Sequence, residues 1–349
     1  MRYWICGFGL RSETHLRQWL LKTERKHELY CASMFNRQNE KVVLMPRTLT
    51  LATIVAVFFL VCVQNVTAQA PQHDPVSFNV DGGIALQSGA DLKDSEGSFS
   101  VNRWFIGGGV TYAWDFRNSI GLFVGGGSSR YDFDDLTVIG NGDPWEDIEE
   151  SRLSLIGRFA FGDNGSIIII PSARYNGEDD AKTSDGRTWG LFAAAAWRIS
   201  KDLTIGPGIG VFSRLEDGTR VFPILVIDWN ISERWNLSTG RGLASSQGPG
   251  LTLSYEVSEA WSLGLAARYE NVEFRLDEEG TTPGGVGRDQ SMPLVAMANW
   301  NPNPVIGLSV FAGMEFSGQL KLKNALNEVV AESDYDPAPV FGATFELRF

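Results

Sequence analysis

The stretch Asp228-Trp229-Asn230-Ile231-Ser232-Glu233-Arg234-Trp235-Asn236-Leu237 decides the fold. A tight polar turn, Ser232-Glu233-Arg234, sits between two tryptophans. On either side, apolar residues fall on alternate positions, the signature of a strand with two different environments. The unit recurs at Trp197–Leu203 and Tyr255–Trp261, and more loosely at Trp114–Ile120 and Trp300–Val305. Each reads as a short hairpin turn with an aromatic collar. Apolar alternation with aromatics at the strand ends is the pattern of a transmembrane β-barrel.

Carried outward, the same reading predicts an all-β chain folded as a transmembrane antiparallel up-and-down β-barrel of about 14 strands. Twelve is the alternative, because Trp235–Leu243 and Gly250–Val257 alternate least regularly. Around Trp104, the residues Trp104, Ile106, Val110, Tyr112 and Trp114 oppose Arg103, Gly107, Gly109, Thr111 and Asp115. Around Leu153, the residues Leu153, Leu155, Phe159 and Phe161 oppose Arg152, Ser154 and Arg158. Short turns near Arg117, Asp163, Lys201, Glu233, Glu259 and Pro302 separate longer or more polar links. These links are 88–98, 132–150, 177–187, 216–219, 244–249, 277–290 and 317–337. Six tryptophans, at 114, 197, 229, 235, 261 and 300, lie beside the short turns. An indole favours the membrane interface, so this placement predicts an aromatic girdle at one rim. A secreted β-sandwich would explain the alternation, but not the strand length, the tryptophan placement or the loop asymmetry.

The N-terminal region has a different character. Leu49–Val63 is an apolar run of 15 residues, preceded by Lys41 and Arg47 and followed by Ala68-Gln69-Ala70. It is shorter than the ~20 residues of a spanning helix. The basic flank and the small residues Ala68 and Ala70 predict a secretory signal peptide over 45–70, cut after Ala70. Residues 1–44 then read as an over-long gene start or a cytoplasmic extension, with Met45 (or Met34) as the natural initiator. The barrel is expected over 71–349.

All three cysteines, Cys6, Cys31 and Cys62, precede the expected cut, which excludes a disulfide scaffold and a Cys-ligated metal in 71–349. That segment carries 21 Lys and Arg against 38 Asp and Glu, a formal net charge of −17. Such a balance argues against nucleic acid as a partner. Its single histidine, His73, supplies neither a Ser-His pair nor a histidine metal site inside the barrel. No catalytic residue, cofactor or metal is expected. Gly206-Pro207-Gly208-Ile209-Gly210 lacks the Lys-Ser/Thr and the helix of a phosphate loop. The acidic residues of 132–150 match no EF-hand spacing and read as a solvated loop.

Strand parity assigns fifteen charged residues to the lumen: Asp81, Arg103, Asp115, Arg152, Arg158, Arg174, Arg198, Arg214, Asp228, Glu256, Arg268, Glu270, Glu315, Glu346 and Arg348. Arg or Lys on the lipid face would cost ~2–4 kcal/mol at the midplane, so strand interiors must turn these groups inward. Arg103, Arg152, Arg158, Arg268, Glu270 and Glu315 are the pore-lining candidates. A set of cross-lumen ion pairs filling a closed barrel is the competing reading. The links at the other end hold 25 acidic and six basic residues, an acidic vestibule.

The chain ends Phe341-Gly342-Ala343-Thr344-Phe345-Glu346-Leu347-Arg348-Phe349. This segment resembles the closing strand of Gram-negative outer-membrane β-barrel proteins. The resemblance implies that the barrel-assembly machinery recognises Phe345, Leu347 and Phe349. It further implies an outer-membrane location, with lipid and lipopolysaccharide around the barrel. The resulting expectation is a monomeric passive pore for small hydrophilic solutes with a mild cation preference. A structural or adhesive barrel with a closed lumen is one alternative. A hydrophobic-substrate transporter is the other; such transporters use an N-terminal hatch, and here only Pro71 to Pro75 precede the first strand.

Overall fold

The computed structural model describes residues 74–94, 96–136, 143–216, 218–239 and 249–349. The predicted leader 45–70, with Ala68 and Ala70, and the segment 1–44 lie outside them. Alternating sequence becomes strand almost throughout. The first eight strands are β1 (Val76–Asp91), β2 (Ser98–Ala113), β3 (Ser119–Asp134), β4 (Asp147–Phe161), β5 (Gly165–Glu178), β6 (Arg187–Arg198), β7 (Leu203–Ser213) and β8 (Thr219–Asn230). Then follow β9 (Trp235–Thr239), β10 (Gly250–Glu256), β11 (Trp261–Arg268), β12 (Glu270–Arg275), β13 (Val286–Trp300), β14 (Ile306–Lys323), β15 (Val329–Tyr335) and β16 (Ala338–Arg348).

Fourteen of these make a closed antiparallel ring. Neighbours run from β1 to β11 in sequence, then β13, β14 and β16. β16 returns to β1 from Asn79↔Arg348 to Gln87↔Val340, leaving the ring no open edge. The predicted strand count of fourteen holds for the wall. Two further strands, β12 and β15, stand outside the count because they continue β11 and β16 beyond the ring.

The outer face is apolar. On β2, Trp104, Ile106, Val110 and Tyr112 are exposed, and Trp114 follows at the turn. Ten steps from Trp104 to Trp114, at about 3.3 Å each and a ~40° tilt, give a band about 25 Å tall, the height of an outer-membrane barrel's apolar belt. The six tryptophans beside the short turns lie on one rim, 36–49% exposed. Trp104 and Trp189 mark the opposite edge of the belt.

The short turns are built from local side-chain bonds. Asp115 accepts from the Asn118 side-chain amide (2.7 Å) and from the backbone N–H of Arg117 (2.7 Å) and Asn118 (2.8 Å). These bonds hold its carboxyl below the usual carboxylate range. Asn303 caps the turn before β14 in the same way, accepting from the N–H of Val305 and Ile306.

Wall height is uneven. β1 to β4 have 15 or 16 residues and β14 has 18, whereas β9, β10 and β11 have five, seven and eight. On the tall side, two segments read from sequence as polar links are strands. The link 317–337 is the β14–β15 hairpin, and 277–290 contains the start of β13. Sequence polarity misled there because these strands rise past the membrane, where both faces accept polar residues. A bulge at Ser317, with φ of 52°, shifts the β13–β14 register between Gln290 and Met292. Pro337, without an N–H, separates β15 from β16.

Candidate functional site

The lumen is divided by β12. After Arg268 the chain leaves β10 and pairs with β13 alone, from Glu270↔Ser291 to Arg275↔Val286. Its far end bridges to β5 at Arg275↔Gly177, on the other side of the ring. β12 is therefore a septum across the long-link end. Period two gives it two faces. Glu270, Val272 and Phe274 border a space shared with Arg103, Tyr131 and Glu315. Asn271 and Glu273 border a second space, shared with β5 to β8, which Val272 also reaches.

The first side is packed. Phe274 is fully buried, 5.1 Å from Trp145 and 6.0 Å from Tyr131 between ring centroids. Phe99 meets Tyr335 edge-on at 4.9 Å. With Val101, Ile148, Leu276, Leu320 and Leu322 these rings form the main buried apolar cluster. Two of them sit on cross-strand glycines: Phe274 covers Gly287, and Tyr335 covers Gly318. A methyl group at either glycine would run into the ring.

Beneath the rings lies a charged knot. Arg103 donates to Asp289 (3.1 Å), Glu315 (3.4 Å) and the Gln87 side-chain carbonyl (3.4 Å). Asp289 also accepts from the hydroxyls of Tyr131 (2.9 Å) and Tyr335 (3.1 Å). The carboxylates are nearly sealed, each side chain 6% exposed, while Arg103 keeps 22%.

The second side is not filled. It is a cavity of about 240 Å³ bordered by Arg174, Phe212, Arg214, Arg220, Phe222 and Glu273, among others. Phe212 and Phe222 stack at 5.5 Å with an interplanar angle of 4°. The Arg174 guanidinium lies 4.9 Å from the centre of the Phe212 ring. Glu273 accepts from Arg214 at 2.8 Å and faces Arg220 at 3.6 Å. Lower on the same wall, Arg152 stands opposite Arg174 in the β4–β5 ladder. With Asp81 and Glu150 these two arginines border a smaller space of about 70 Å³.

Links at the long end are tied over the septum. Arg275 bonds Glu216 (2.8 Å) and the carbonyls of Gly284, Leu215 and Asp185. Glu178 accepts from the backbone N–H of Glu146 (3.0 Å) and Asp277 (3.1 Å), and burial pushes its carboxyl above the usual range. Lys182 pairs with Glu278 at 2.9 Å.

Of the sequence candidates, Arg103 and Glu315 meet directly. Glu270 lies beside them on β12, and Arg268 is buried at the end of β11. Arg152 belongs to the β4–β5 group, and Arg158 is exposed near the short-turn end, apart from the rest. At the closing strand, Phe345 covers Gly82, Leu347 pairs with Val80, and Phe349 is exposed beyond β16. Asp289 was missed because it fell in a supposed outer link. Extending the inward parity of Met292–Trp300 three residues back would have found it, since Asp289, Ser291 and Pro293 border one space.

No family model and no curated protein matches the chain. Solved structures similar to it include an outer-membrane channel, COG4313, from Pseudomonas putida F1, at 10% identity and a TM-score of 0.44, over 80% of this chain and 100% of that one. A Pseudomonas aeruginosa FadL homologue is similar at 13% identity and a TM-score of 0.41, over 78% and 90%. The KdgM porin in complex with disordered oligogalacturonate is similar at 8% identity and a TM-score of 0.34, over 78% and 99%.

Proposed function

We propose that the protein is a monomeric outer-membrane channel of a Gram-negative bacterium that passes small hydrophilic solutes passively. Its short turns face the periplasm and its long links the outside. The observation that carries this reading is the unfilled, arginine-lined space along β4 to β8, inside a ring whose outer face is apolar. A barrel that served only as an anchor would gain by filling that space with packed side chains. The septum narrows the route to one side of the lumen, so conductance is small. The acidic links raise local cation concentration, a mild preference at low salt. These links are solvated, and the screening length falls from ~10 Å at 0.1 M to ~3 Å at 1 M, so the preference fades.

A closed, structural barrel is the second reading, favoured by the Arg103 knot and the aromatic cluster above it. Single-channel recording of the folded protein in a planar bilayer separates the two. Discrete steps, with a reversal potential favouring cations at 0.1 M and near zero at 1 M, are expected. Absence of conductance would leave the closed barrel.

A further inference from the structure

The 240 Å³ cavity between β12 and the β5–β8 wall has a composition that a water-filled passage does not need. Its charged lining is three guanidiniums, Arg174, Arg214 and Arg220, against one carboxylate, Glu273. Two stacked phenylalanines, Phe212 and Phe222, give it a flat apolar wall. The volume is below the ~300–1,000 Å³ of pockets for drug-sized ligands, which sets the scale at one ring with a small substituent.

We infer that this cavity binds a small planar organic anion, a single ring bearing a carboxylate, as a solute subsite of the channel proposed above. The ring would lie against Phe212 and Phe222, where aromatic pairs gain beyond their buried area. The carboxylate would take the fork of Arg220 or Arg214. An arginine presents five donors, and both guanidiniums now meet a single oxygen of Glu273. The buried Arg214 Nε has no hydrogen-bond partner among the described residues. Glu273 is thus an internal stand-in for the ligand carboxylate, and it competes with it. The inference rests on the channel reading for its physiological role, but binding is measurable without transport.

The test is calorimetry on the folded protein in detergent with three probes: benzoate, benzyl alcohol and acetate. Benzoate is expected to bind saturably. The ring without the charge is expected to bind at least about tenfold more weakly, the worth of one charge-assisted hydrogen bond, and the charge without the ring about tenfold more weakly through loss of the aromatic contact. Glu273→Gln removes the competitor and should tighten benzoate about tenfold. A gain of affinity cannot be mimicked by misfolding. Phe212→Leu with Phe222→Leu should weaken benzoate while leaving acetate unchanged. Equal binding of benzoate and benzyl alcohol, or no tightening in Glu273→Gln, would overturn the inference. Saturable benzoate binding without conductance keeps the site and removes the channel; conductance without benzoate binding does the reverse.

Discussion

Arg103→Met is the most informative perturbation of the lumen. The substitution keeps an unbranched side chain and deletes the cation between Asp289 and Glu315, whose side chains are each 6% exposed. Removing one partner of a buried pair costs about 3–5 kcal/mol, because the remaining charge stays out of water. The 22% of Arg103 that stays exposed marks a path by which water reaches the stranded carboxylates, so the lower end applies, about 3 kcal/mol. At a urea slope of about 3 kcal/mol/M, the unfolding midpoint should fall by roughly 1 M. Tryptophan fluorescence of the protein in lipid vesicles, titrated with urea, reads this directly. Adding Asp289→Asn and Glu315→Gln removes the stranded charges, while the amide introduced by the first of these keeps an acceptor oxygen for one tyrosine hydroxyl and offers its NH2 to the oxygen of the other. The triple variant should recover more than half of the loss. A midpoint within roughly 0.3 M of wild type, or no recovery in the triple variant, would refute the claim that charge balance holds this knot.

Three other outcomes are expected. Gly287→Ala should cost about 1–3 kcal/mol by overpacking the Phe274 ring. The cost should vanish in a Phe274→Ala background, and additive losses in a double-mutant cycle would show that the ring does not need that glycine. The Glu178 carboxyl is raised by burial, so its neutral form suits the fold: its contribution is full below about pH 4 and is lost as pH rises through the raised value. The urea midpoint of wild type relative to Glu178→Gln should therefore fall from pH 4 to pH 7; a difference that rises with pH contradicts the sign. Deleting Phe349 should lower the amount of heat-modifiable folded barrel in outer-membrane fractions more than substituting Arg348, which pairs with Glu346 in bidentate fashion at 2.7 Å; equal, undiminished yields would remove the assembly-signal role.

The ring was legible from sequence because membrane geometry constrains it hard. Residues between Trp104 and Trp114 must alternate, since one face meets lipid and the other does not, and the ladder from Ser98↔Asp134 to Ala113↔Ser119 follows. Inward charge followed for the same reason, so Arg103 and Glu315 could be picked without knowing that they touch. The septum was not legible. Glu270–Arg275 alternates like any wall strand, and nothing local says that it pairs along its length with β13 and meets β5 just at Arg275. What turns it inward is tertiary: Phe274 fits a nest of rings from β2, β3 and β15 and the Trp145 link. The Arg275 contacts come from three separate links. The element that crosses the lumen comes from the middle of the chain, at Glu270–Arg275.

A strand with different chemistry on each face constrains how its length can change. Inserting one residue between Tyr269 and Arg275 would turn Phe274 toward the arginines and Glu273 toward the rings. Neither side tolerates the exchange, since aromatic rings close on Phe274 on one side and Arg214 and Arg220 meet Glu273 on the other. Two residues would restore both faces and only lengthen the reach to β5. Viable insertions and deletions in this segment should therefore come in pairs, while single steps should be found only in the links on either side. By the same logic β12 cannot slide along β13 by single residues to widen the passage.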